Sequence, residues 1–150
     1  MRARIIFLAA LLLAGKTQAP WFGTWAFNAA RSTPSADARF KRMTTTIEPA
    51  ADGLKVIYDI VGLRGGVTHM EWSGKFDGRD YPVQGVDYVL TNAYTLLGDR
   101  RYQIVIKVDG AVAATAVVEI SSDGQTLTTL TTQKDSRGQT ITTKAVYDRQ

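Results

Sequence analysis

The chain has 150 residues, of which 45% are hydrophobic and 21% charged. That is enough apolar material for one packed domain, and it excludes disorder by composition. There is no cysteine and one histidine, His69, which excludes a disulfide scaffold, a thiolate-ligated metal, a thiol nucleophile and any site built on two imidazoles.

Residues 1–19 read as a secretory leader. Arg2 and Arg4 precede an apolar run from Ile5 to Ala14, which is too short to cross a hydrocarbon core of roughly 30 Å as a helix. Thr17-Gln18-Ala19 offers a cleavage site, with a cut after Gly15 as the other option and an uncleaved anchor as the other reading. The expected mature domain is 20–150, secreted or periplasmic, with no lipobox cysteine and no membrane span. The leader carries Arg2, Arg4 and Lys16 and no acid, so the overall charge of +4 falls to +1 for residues 20–150. A charge of +1 with no basic stripe gives no case for nucleic-acid binding.

After Trp21 the pattern is that of short strands: β-branched and aromatic runs separated by turn residues. Asp-Gly recurs at 52–53, 77–78, 109–110 and 123–124, and supplies the positive φ angles that tight hairpins need. The pattern predicts strands at 22–28, 39–48, 54–61, 67–76, 86–94, 100–108, 111–121, 125–134 and 139–148. The polar stretch 28–38 is the one long connection, with room for a single helical turn. Residues 77–85 read as a loop with Tyr81 and Pro82 at a rim.

Alternation assigns the faces. Leu54, Val56, Tyr58 and Ile60 share one face. Met70, Trp72, Gly74 and Phe76 oppose His69, Glu71, Ser73 and Lys75. Tyr102, Ile104, Ile106 and Val108 form a third apolar row, and Val112, Ala114, Ala116, Val118 and Ile120 a fourth. The threonines between Thr126 and Thr143 read as the outward face of two paired strands. Sheets with one apolar face must pack on another sheet or close on themselves. Sequential hairpins without helices favour an all-β, antiparallel up-and-down barrel of about eight or nine strands.

Phe22-Gly23-Thr24-Trp25-Ala26-Phe27-Asn28 resembles the Gly-x-Trp signature of the calycins, the superfamily of lipocalins and fatty-acid-binding proteins. Asp77–Gly85, Ser121–Thr128 and Val146-Tyr147 resemble segments of small secreted bacterial lipocalin-like proteins. The resemblance implies a calycin-like barrel in which Gly23 and Trp25 close one end and Arg149 packs on Trp25. In the fatty-acid-binding branch an Arg two residues before the closing-strand Tyr helps hold a carboxylate; that position here is Ala145.

Chemistry-bearing clusters are sparse. His69, Glu71 and Ser73 share a strand face, but successive same-face residues lie roughly 7 Å apart, and there is no Gly-x-Ser-x-Gly elbow. Asp77, Asp80 and Asp87 match no calcium-loop spacing. The reading is therefore not an enzyme, with a rim-based hydrolase as the minor alternative, and neither metal nor cofactor is expected. The expected function is non-covalent binding of a small apolar or amphipathic molecule inside the barrel, lined by Tyr58, Met70, Trp72, Phe76, Tyr102 and Ile104. The alternative is a filled barrel acting as an envelope scaffold, inhibitor or interaction module through its loops.

Overall fold

The alternation along each run dictates the architecture, because every strand has one face that must leave water. The structure, a computed structural model, describes residues 18–34 and 40–150. The leader expected at 1–19 lies outside the described residues except for Gln18 and Ala19. Ten strands follow in chain order: β1 (Gly23–Phe27), β2 (Phe40–Ala50), β3 (Gly53–Gly62), β4 (Val67–Gly74), β5 (Tyr81–Gln84), β6 (Leu90–Gly98), β7 (Arg101–Val108), β8 (Ala111–Ile120), β9 (Thr126–Lys134) and β10 (Thr140–Arg149). Each pairs antiparallel with its neighbours in sequence, and β1 pairs with β10, so the meander closes into a barrel. Closure removes the sheet edges. A single 3-10 turn, Ala29–Arg31, follows β1 and is capped by the Asn28 side chain.

The strand count is ten, not eight or nine. The additional strand is β5, which the sequence pattern placed in a loop. It has four residues, includes Pro82, and is registered through only two residue pairs on each side. A proline cannot donate to a ladder, so such a strand stays short. The strand expected at 86–94 is displaced to Leu90–Gly98, because the chain bends through Gly85–Tyr88 before pairing resumes.

A β-bulge makes a second correction. Ile106 pairs with Ala114 and Lys107 with Val112, which leaves Ala113 as the extra residue. The bulge reverses the alternation. Val112 therefore shares the outer face with Lys107, while Ala114, Ala116, Val118 and Ile120 remain inside and buried.

The antiparallel order divides the hairpins between two ends. One end carries the chain entering β1 and the connections 51–52, 75–80, 99–100 and 121–125; the other carries residues 28–34 after β1 and the connections 63–66, 85–89, 109–110 and 135–139. The most deeply buried side chains, among them Trp25, Leu54, Trp72 and Ile120, lie nearer the first end. Leu54→Ala should therefore destabilise the barrel by about 3 kcal/mol through the cavity it leaves. Exposed Leu97→Ala should stay within about 0.5 kcal/mol; urea unfolding of both variants is the check.

Candidate functional site: the barrel interior

The first end is sealed by a latch built from the two ends of the strand order. The Arg149 guanidinium carbon sits 4.2 Å from the Trp25 ring centroid. Its Nε donates to the Gly124 carbonyl at 2.7 Å, Nη1 to Phe22 at 2.8 Å and Nη2 to Pro20 at 2.7 Å. Trp25 Nε1 in turn donates to the Trp21 carbonyl at 2.9 Å. Gly23 holds φ at 140°, and a Cβ there would collide with Arg149 Nη1. A side chain at position 23 is thus disfavoured by backbone conformation and by the guanidinium together. Arg149→Lys keeps the charge but loses the planar fork and its three-way bonding, so it should cost about 2 kcal/mol in thermal or urea unfolding.

Inside the latch, aromatic rings fill the barrel. Trp72 stacks on Tyr94 with centroids 3.9 Å apart, and Tyr94 stacks on Tyr102 at 5.3 Å. Trp21 and Phe76 meet each other at 5.3 Å and pack edgewise on Tyr102 at 5.6 and 5.5 Å. Trp72 Nε1 donates to the carbonyls of Tyr81 and Asn92, which satisfies its one polar atom within the wall.

Beyond these rings lies a cavity of about 170 Å³. Its apolar wall comes from Ile47, Val56, Ile104, Ile106, Ala116 and Val118, with Leu127 completing it. Its polar groups are all hydroxyls, from Tyr58, Tyr94, Tyr102 and Tyr147 and from Thr45, Thr129 and Thr131. No charged side chain lines it. The Tyr58 and Tyr94 hydroxyls lie 3.3 Å apart and share a hydrogen bond, and the Tyr147 hydroxyl reaches Met43 Sδ at 4.0 Å.

The interior residues singled out from the sequence divide into two groups. Tyr58, Tyr102 and Ile104 line the cavity. Trp72 is fully buried in the aromatic stack, Phe76 belongs to the same packing, and Met70 packs against the core from a partly buried position; none of these three lines the cavity. Tyr94, Tyr147, Thr45, Thr129 and Thr131 escaped the sequence reading. Tyr147 shares the parity of Ala145 and Tyr94 that of Leu90, both of which pack against the core, so alternation could have found them. The threonines could not be found that way. Their run divides between the two faces: Thr129 and Thr131 face the cavity, while Thr132 and Thr142 are exposed and bond to each other at 3.2 Å.

The polar clusters outside the barrel are spent on pairing. His69 Nδ1 meets Asp59 at 2.6 Å and Nε2 meets Glu71 at 3.0 Å, while Lys55 Nζ bonds Glu71 at 2.9 Å. These bonds, to Asp59 first and then Glu71, raise the His69 pKa. Glu71 is lowered by Lys55 and then His69. Both imidazole nitrogens are thereby occupied by carboxylates, and neither is left for a nucleophile. Asp77 accepts from the Tyr81 hydroxyl at 2.6 Å and from the Arg79 N–H at 3.0 Å, which lowers its pKa. Lys107 holds Asp80 at 2.8 Å. Asp87 lies in the hairpin at the opposite end of the barrel, so the three carboxylates are not brought together. Among the described residues no helix is long and apolar enough to cross a membrane.

Comparison with protein-family models gives no match, and comparison with curated proteins gives none either. The architecture is compatible with a calycin-like barrel.

Burial raises the pKa of all four interior tyrosines above the ordinary value near 10, with the neighbouring phenols adding to the effect at Tyr94, Tyr102 and Tyr147. The folded chain therefore holds these protons more tightly than the unfolded chain. The stability they lend is complete below about pH 10 and is lost as pH rises beyond it. Tyrosinate absorbance from these residues should appear together with loss of the β-sheet circular dichroism. Ionisation of all four in an intact barrel would contradict this account.

Proposed function

We propose that the chain is an exported binding protein that holds one small, uncharged, partly polar molecule inside the barrel. The observation that carries this reading is the cavity of about 170 Å³ whose polar groups are hydroxyls alone. A dry engineered cavity of about 150 Å³ takes up benzene, so this volume suits a single-ring molecule on the order of ten non-hydrogen atoms. Hydroxyls can donate to or accept from such a ligand, and the aliphatic wall supplies apolar burial at roughly 25 cal/mol per Å². A bare carboxylate would enter a lining with no cation, and burying an unpaired charge is costly. Ala145 at the position where a carboxylate-holding Arg stands in the fatty-acid-binding branch agrees with this preference. Export is supported by the secretory leader read at residues 1–19.

The test uses native mass spectrometry and calorimetry with two probes, p-cresol and dodecanoic acid. We expect p-cresol to bind and dodecanoate not to. Ala116→Phe, which fills the cavity from β8, should weaken p-cresol binding by at least about tenfold while the sheet signal persists. Tyr102→Phe, which deletes one hydroxyl without changing the ring, should weaken it by about fivefold, the scale of one modest hydrogen bond. Tight dodecanoate binding, or p-cresol binding indifferent to both substitutions, would overturn the reading. It would leave the filled-barrel interaction module as the better account.

A further inference from the structure

Of the nine large apolar side chains left in water among the described residues, six are gathered at one end of the barrel, while Leu96 and Leu97 stand near the other end and Leu130 in the middle of β9. Leu63 is 67% exposed, Val67 70%, Val89 61% and Val112 62%, and Tyr88 is 49% exposed. All five stand on or beside the hairpins β3–β4, β5–β6 and β7–β8, at the end opposite the Arg149 latch. Ile141, at the start of β10, adds a fourth hairpin to this ring. A folded domain does not ordinarily leave so many apolar tips exposed together without a use for them.

Charge accompanies them. Arg64 and Arg137 stand in turns at this end, and Lys41, Arg42 and Lys134 stand in strands beside it, against Asp87, Asp109 and Asp135. Arg64, Lys134 and Arg137 form no ion pair among the described residues. Asp135 turns one carboxylate oxygen to the backbone N–H groups of Arg137 and Gln139, so part of the local negative charge is engaged within its own turn.

We propose that this end of the barrel docks on an anionic lipid surface. The apolar residues sit on separate hairpins arranged around a ring, not along one groove. A plane can receive all of them at once, whereas an extended peptide follows a single line. Shallow burial of apolar tips combined with attraction of cations to lipid phosphates is a sufficient basis for reversible membrane association. The inference does not depend on the barrel holding a ligand. If it does hold one, the docked end is the end farther from the latch.

The absence of cysteine makes the test direct. In the full chain, single substitutions Leu63→Cys, Val89→Cys, Val112→Cys and Leu97→Cys are each labelled with an environment-sensitive fluorophore. Leu97 is exposed on the β6–β7 hairpin at the latched end and serves as the reference. The vesicles are phosphatidylglycerol–phosphatidylcholine mixtures or phosphatidylcholine alone. We expect blue-shifted, enhanced emission at positions 63, 89 and 112 on the anionic vesicles, and little change at 97. The double substitution Arg64→Glu/Arg137→Glu should lower vesicle affinity by about tenfold or more. Equal response at position 97, no response at the three tips, equal response to uncharged vesicles, or unchanged affinity after the double charge reversal would each overturn the proposal. A response that grows with protein concentration in the absence of vesicles would overturn it in favour of pairing between two copies of the chain.

Discussion

The rest of the barrel depends on where Arg149 can reach. Its guanidinium covers Trp25 and gathers carbonyls from Pro20, Phe22 and Gly124. A planar cation can make that many bonds only if nothing intrudes between it and the β1 backbone, and a Cβ at position 23 would intrude there. Cation–π contacts of this kind are worth about 0.5–2 kcal/mol, and the three carbonyl bonds add to that. Three segments far apart in sequence are thus fixed relative to one indole ring.

With one end fixed, the interior divides by size. Large rings occupy the space next to the latch, where Trp72, Tyr94 and Tyr102 stack and Trp21 and Phe76 pack edgewise. Farther along, β8 and β9 contribute Ala116, Thr129 and Thr131, which are too small to meet across the barrel. The cavity is the space these residues leave. Its lining is polar without being charged, because threonine hydroxyls do not ionise and tyrosine hydroxyls are neutral at ordinary pH, a state that burial favours further.

How much of this could be read from residue types follows from the physics of each segment. Leu54, Val56, Tyr102 and Ile104 lie in long runs of strict alternation, so their faces follow from a period of two. Tyr81–Gln84 has four residues and a proline, too short a run to show any period. Val112 is separated from the inward row Ala114–Ile120 by a bulge, and one extra residue between them puts it on the opposite face without altering composition. Threonine satisfies both a solvated and a half-buried pleat, so the polar wall of the cavity leaves little trace in hydropathy. Trp72 and Phe76 have inward parity, but parity cannot distinguish a ring that borders a cavity from one that fills the core. The pairing of His69 with carboxylates from two strands depends on register, which alternation alone does not supply.

The latch also sets a kinetic order. The bond from Arg149 to Phe22 joins residues 127 positions apart, whereas each of the other strand pairs joins neighbours in sequence. Closing so long a loop costs chain entropy that nearby hairpins do not incur. The hairpins can therefore assemble into an open, curved sheet before β1 and β10 meet. During that interval the two terminal strands present unpaired N–H and C=O groups, which are open to pairing with another chain. The seam between β1 and β10 is thus the pairing with the largest chain-entropy cost in the barrel, and the place where an open sheet is exposed to self-association.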